Sequence, residues 1–345
     1  MTKFDHARLK QLIRTSFENR GVCKDSCFHI AEAIVQASLR GVDSHGIGLF
    51  PHYYTVSRTG RVNPNPHFTF TRSGASTAVL DADHGYGHHA GAEAMRMAVD
   101  MSKESGMGAV SVKHSTHFGA AAYYGFFAAE KDQIGLCFTN TNDTVLAYNG
   151  TKPFFGTNPV CVLAPMLNEG PFCLDMATSY ISMHKLREHK QSGEALEPGW
   201  AYDAAGNPTT DPLTASFVGP VGGYKGYGLG MMVEMFCGML AGGPVANEIT
   251  LITKELDKKR DLSQFFVSID IARFIDPVAF KTRLQQVADT IRALPRLTPE
   301  VPVLIPGDPE KITREERLKS GIPISDAKYA EFIAIDKAFA TACFN

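Results

Sequence analysis

The chain has 345 residues, is 44% hydrophobic and 20% charged, and carries a formal net charge of −2. That length can bury one large core or two interwoven ones, and the composition is ordinary for a globular protein. No long run of Lys or Arg favours a nucleic-acid or anionic-membrane partner.

The charged start, MTKFDHARLKQLIRTSFENRG, lacks the apolar core of a signal peptide, so a cytoplasmic protein is expected. Residues 5–19 set Leu9, Leu12, Ile13 and Phe17 on one helical face, with Asp5 as N-cap. A second helix is predicted from Asp25 to Leu39, stopped by Gly41, and a third from Ile47 to Arg58, ended by TGRVNPNP. The amino-terminal part therefore reads as helical.

After Pro66 the pattern changes. HFTFTRSGASTAVLDAD alternates like a strand pair, and a helix is expected over Gly91–Ser105. GMGAVSVKHS and IGLCFTNTN read as buried strands flanking a helix, Ala120–Lys131; NPVCVLAP and FCLDMATS add two more strands. Residues 187–222 read as a long surface excursion, and Gly226–Leu240 as a glycine-rich buried helix too interrupted to span a membrane. FFVSIDIARF is a late strand, and residues 277–293 form an amphipathic helix. The mixture predicts a layered α/β (mixed α+β) fold around a sheet.

Seven cysteines (23, 27, 137, 161, 173, 237 and 343) are scattered and odd in number, which predicts free thiols. His84, His88, His89, His114 and His117 show no carboxylate-supported ligand set, so no metal is expected. DADHGYGHHAG places its last glycine one residue too late for the dinucleotide fingerprint. KHSTHFGAAAYY ends a strand in a polar turn and opens a helix with small residues, where open sheets hold ligands and helix amides suit anions. LDMATS ends another strand in an acidic turn, and GGYKGYGLG frames one cation, Lys225, with glycines. Each has a plain alternative: a glycine-assisted turn with a capping His117, or a packed helix with Lys225 at its exposed start.

These pieces, with DSHG, FTNTNDTVLAYNGTKPFFGTNPVCVLAP, PTTDP and PGDPE, occur in an order that resembles the malate/L-lactate dehydrogenases of the second type. That family includes ureidoglycolate dehydrogenase, diketogulonate reductase, sulfolactate dehydrogenase and Δ1-piperideine-2-carboxylate reductase. The similarity runs from about Leu9 to Glu310. It implies a sulfolactate dehydrogenase-like, non-Rossmann NAD(P)-binding fold with a central mixed sheet. The helical part, residues 1–75, would pack with 295–345, and residues 76–294 would form the cofactor-binding core. It also implies a homodimer and hydride transfer between nicotinamide and a small 2-hydroxy or 2-oxo carboxylate, with a cyclic 2-imino-acid reductase or a non-catalytic relative as alternatives.

By that resemblance, His45 is the first candidate for the acid/base, with Ser44 orienting it and His117 the second candidate. NAD or NADP would be held by His117, Thr141, the turn of Asp175, Met176 and Ala177, Lys225, and the turn of Gly307, Asp308 and Pro309. A histidine suits removal of a hydroxyl proton near neutral pH. Tyr53 and position 49 would face substrate, but the arginine many members carry at the latter is Leu49 here, and leucine cannot grip a carboxylate bidentately. His52 and Arg58 are nearby cations that could take over. His184 replaces a common glycine, and YNG replaces a Gly-Gly pair.

Overall fold

A computed structural model describes residues 2–341. The first helix, His6–Glu18, is capped by Asp5, whose carboxylate accepts from Arg8 N at 2.9 Å. Leu9, Ile13 and Phe17 are fully buried, each contributing about 1.5–3 kcal/mol of burial. The second helix, Lys24–Leu39, packs against the first, and both share a core with Phe50, Ile322, Phe332 and Phe339. The carboxyl-terminal contribution, Ile322, Phe332 and Phe339, comes from the 295–345 segment that only the family resemblance, and no local pattern, had put beside the amino-terminal helices. Thr2–Phe4 pairs antiparallel with Ile322–Ile324, and the helices Asp308–Ser320 and Asp326–Ile335 flank that strand.

The third expected helix is broken. Asp43–His45 and Ile47–Leu49 are single 3₁₀ turns, and only Phe50–Val56 is α-helical. Gly46 separates them because its backbone passes against Ser38, whose Oγ accepts from Ile47 N at 2.8 Å; a Cβ there would collide.

The main sheet has seven strands, in the spatial order Thr69–Arg72, Thr77–Asp81, Met107–Ser115, Leu262–Asp270, Gln133–Thr139, Val160–Ala164 and Phe172–Met176. Only the second and third pair in parallel, joined by the helix Gly87–Ser105, which starts four residues before the expected Gly91. The late strand Leu262–Asp270 inserts between two early ones, so no simple βαβ winding arises. The helix Ala122–Ala129 lies on the sheet where Gly125 meets Leu163; a Cβ there would lie 2.5 Å from Leu163 Cδ1.

The predicted excursion over 187–222 is more ordered than its composition suggests. It begins inside the helix Met183–Ser192 and supplies three two-residue strands to a five-stranded sheet. Leu186, Leu196, Ala201, Ala215 and Val218 form a small core beneath it. Strands that short carry no readable alternation. The glycine-rich helix starts at Tyr224, turns π-helical at Met235–Met239, and is not wholly buried: Met231, Met235 and Leu240 are exposed. Cys23, Cys27, Cys137, Cys161, Cys173 and Cys237 are free thiols; Cys343 lies outside the described residues. Among the described residues no helix is long and apolar enough to cross a membrane.

Candidate active site

A cleft of about 850 Å³ opens between the Ser44–His45 turn, the His117–Ala122 turn, residues 139–144, the end of strand Phe172–Met176 and residues 305–310. Small-molecule sites usually fall between about 300 and 1,000 Å³, so this cleft can take a large ligand.

The Ser44–His45 turn is fixed from outside. Arg317, on the helix Asp308–Ser320, makes a bidentate pair with Asp43 at 2.7 and 2.8 Å and donates to Ser38 O. Ser44 Oγ lies 2.9 Å from His45 Nδ1, and Tyr53 Oη lies 2.6 Å from His117 Nδ1. The two imidazoles stack with centroids 5.7 Å apart. Burial lowers the pKa of His45 to about 4; burial and then the neighbouring His45 push His117 well below its ordinary value. Both rings are therefore neutral near pH 7. When Nδ1–H donates to its hydroxyl, Nε2 carries the lone pair that can accept a proton.

The opposite wall is set by a buried clamp. Glu234 is fully buried, and its carboxylate accepts from Asn140 Nδ2 and Asn158 Nδ2, both at 3.0 Å. Asn158 Oδ1 in turn accepts from Thr141 N at 3.1 Å, which fixes the segment that presents Thr141 and Asn142 to the cleft. Desolvation raises the pKa of Glu234, partly offset by the two amides.

Asp175 accepts from Ala122 N at 2.8 Å, so that helix amide is already satisfied and is not free for an anion. The Asp175 carboxyl is open to the cleft, but the surrounding protein desolvates it and raises its pKa to about 6. Gly307 adopts φ +98°, and a Cβ there would stand 3.0 Å from Cys173 N, so only glycine lets this turn close on the strand end. The lining mixes apolar Phe118, Leu174 and Ile305 with polar Thr139, Thr141 and Asn142, which suits a ligand with flat rings and hydroxyls.

Ser44, His45, Leu49, His117, Thr141, Asp175, Met176, Ala177, Gly307 and Pro309 all line this cleft. Tyr53 sits behind the wall, reaching the cleft through His117. Asp308 is not among the lining residues: it caps Ile305 N and pairs with Arg292 at 2.6 Å. Lys225 lies at the exposed start of its helix, one turn past the lining residue Val221. Neither substitute cation reaches the cleft wall: Arg58 is exposed, and burial lowers the pKa of His52 to about 4, leaving it uncharged. The sequence reading missed Asn142, Arg260 and Arg317, none of which belongs to a motif with a distinctive spacing. Among the described residues, no group of three or more His, Cys, Asp and Glu could hold a metal ion.

The sequence profile of the malate/L-lactate dehydrogenase family matches residues 4–332. A malate dehydrogenase of Pyrococcus horikoshii is 35% identical over 329 residues, covering 92% of this chain and 90% of that protein. The NAD(+) ureidoglycolate dehydrogenase of Escherichia coli is 30% identical, covering 96% of this chain and 95% of that protein. The crystal structure of malate dehydrogenase from Entamoeba histolytica superposes with a TM-score of 0.93 at 29% identity, covering 99% of both chains.

Proposed function

The chain belongs to the malate/L-lactate dehydrogenase family and is an oxidoreductase of hydroxy acids, and from that premise we propose that it moves a hydride between a nicotinamide cofactor, NAD or NADP, and carbon 2 of a small 2-hydroxy or 2-oxo carboxylate. The observation that carries this reading is the pair of neutral imidazoles, His45 and His117, stacked in the cleft with each Nδ1 engaged by a hydroxyl.

His45 Nε2 takes the hydroxyl proton in the oxidising direction and returns it in reverse, while Ser44 holds the ring in the required tautomer. A bound nicotinamide supplies the hydride acceptor or donor. His117, anchored by Tyr53, orients the reacting oxygen. Thr141, Asp175, Met176, Ala177, Gly307 and Pro309 hold the dinucleotide along the opposite wall, where the Glu234 clamp keeps Thr141 in place. Neutral imidazoles fit the oxidising direction, because a base must be unprotonated at the working pH.

The enzyme works in the cytoplasm as a homodimer. Support for the dimer is the helix Tyr224–Glu234 with its π-turn, which exposes Met231, Met235, Met239 and Leu240 along one side. A matrix of NADH and NADPH against pyruvate, oxaloacetate, glyoxylate and Δ1-piperideine-2-carboxylate tests the reading. Turnover of at least one 2-oxo acid is expected. Cofactor binding without turnover of any of them would sink it, and turnover of the cyclic imine alone would replace it with imine reduction.

A further inference from the structure

Two arginines lie behind the cleft wall, and they are satisfied very differently. Arg61 is 1% exposed and spends its guanidinium on carbonyls of one loop, those of Leu251, Ile252, Lys254, Glu255 and Lys258. Arg260 is 2% exposed; its Nε donates to Thr250 O at 2.8 Å and its Nη2 to Asn142 Oδ1 at 2.9 Å, with Thr141 Oγ1 at 3.4 Å. Its Nη1 is buried with no partner. Among the described residues no carboxylate pairs with Arg260, and burial, with repulsion from the nearby Arg61 adding to it, pulls its pKa down to about 9.

A buried guanidinium with no counter-charge and one free nitrogen is costly, and it is stabilised when an anion arrives. Its position says which anion. Asn142 and Thr141, the side chains it touches, line the cleft, as do Leu251 and Ile252 beside Thr250. Its charge is felt at Tyr53, His52 and His117, which places it beside the proton-transfer pair. Two other arginines line the cleft: Arg40 donates to Gln36 and stacks on Phe126, and Arg187 stands exposed on the helix Met183–Ser192, where its charge is solvated before any ligand arrives. Leu49 contributes no polar group to the same cleft.

We propose that Arg260 is the carboxylate anchor of the substrate, with Asn142 yielding its hold so that Nη1 and Nη2 donate to the two carboxylate oxygens. This rests on the reading of the substrate as a 2-oxo or 2-hydroxy carboxylate. It assigns substrate grip to a residue on the sheet side of the cleft, and leaves the Ser44–His45 turn to proton transfer alone.

The test uses the full-length protein with NADH bound and oxamate as the probe, together with steady-state rates on pyruvate and on its neutral carboxamide, pyruvamide. In Arg260→Gln and Arg260→Lys, oxamate affinity should fall at least about 30-fold, since each removes the two-nitrogen fork. The preference for pyruvate over pyruvamide should collapse, while NADH affinity stays within about threefold, because the cofactor does not use this group. Retained oxamate affinity and retained carboxylate preference in either folded variant would overturn the proposal. So would a fall in melting temperature and NADH affinity with the preference intact, which is what a purely structural arginine predicts. If Arg260→Gln does not fold, Arg260→Lys decides. Oxamate binding needs no turnover, so it reads Arg260 separately from the rate matrix that tests the function, and wild-type protein that does not bind oxamate overturns the anchor directly.

Discussion

Two segments picked out by their motifs, residues 43–53 and residues 222–240, end up in opposite situations. The first is completed within one chain: Arg317 grips Asp43, Ser44 meets His45, Ser38 holds the backbone at Ile47, and Tyr53 reaches His117. The second is completed only along one edge, where Gly226, Gly230, Val233 and Glu234 are buried, while Lys225, Met231, Met235 and Leu240 face outward. Polar groups that must hold an angle are pinned by partners inside the fold. Apolar groups left bare on a helix are where the proposed dimer contact is to be tested.

The sharpest way to break this comparison is at the pinned end. His45→Ala should cut turnover at least about a hundredfold while leaving cofactor affinity nearly intact, and near-normal turnover would remove His45 from proton transfer. Its pH signature is equally specific. A base must be neutral imidazole, and burial lowers the pKa of His45 to about 4, so with His45 in that role the oxidative rate should hold from neutral pH down to about 5 and fall below 4. An acid limb centred near 6.5 would mean that the ring is not desolvated when the enzyme works.

At the exposed end, Met235→Glu puts a charge in the middle of the bare face. Sedimentation should show a shift from dimer to monomer, and an unchanged assembly would place the interface elsewhere. Tyr53→Phe removes one hydrogen bond to His117 without opening a cavity. Turnover should drop about tenfold, in line with about 1–1.5 kcal/mol for such a bond, and an unchanged rate would show that His117 needs no anchor. The smallest effect belongs to Lys225→Ala, expected to weaken cofactor binding about fivefold through loss of one exposed point charge. Fluorescence titration with NADH measures it, and unchanged affinity would leave Lys225 with no role at the cofactor.

Much of the fold was legible because its signals are local. Asp5 capping a 3.6-residue pattern of Leu9, Ile13 and Phe17 needs no tertiary information, and neither do strands written as GAVSV or VCVLA. The break at Gly46 was not legible, because Ser38, eight residues earlier, decides it. The two-residue strands within 187–222 were hidden for a different reason: they are too short to alternate, and they form by pairing with one another and, through Phe217–Val218, with the edge of Val145–Leu146. Of the site, the motif residues Ser44, His45, Thr141 and Asp175 stood out by order along the chain, whereas Arg260, Arg317 and the Glu234 clamp did not.

By itself the sequence determined the chemistry available: a Ser-His turn, a second histidine at a strand end, an acidic strand-end turn and a glycine turn, in the order of one enzyme family. Tertiary structure alone decided which groups share a cleft and in what charge state. His45 and His117 are 72 residues apart yet stack, and desolvation by their neighbours keeps both neutral. It also separated the two arginines: Arg61 is spent on loop carbonyls, and Arg260 keeps one nitrogen free. Residue type fixes what a side chain can donate or accept; only packing fixes whether its partners are already taken.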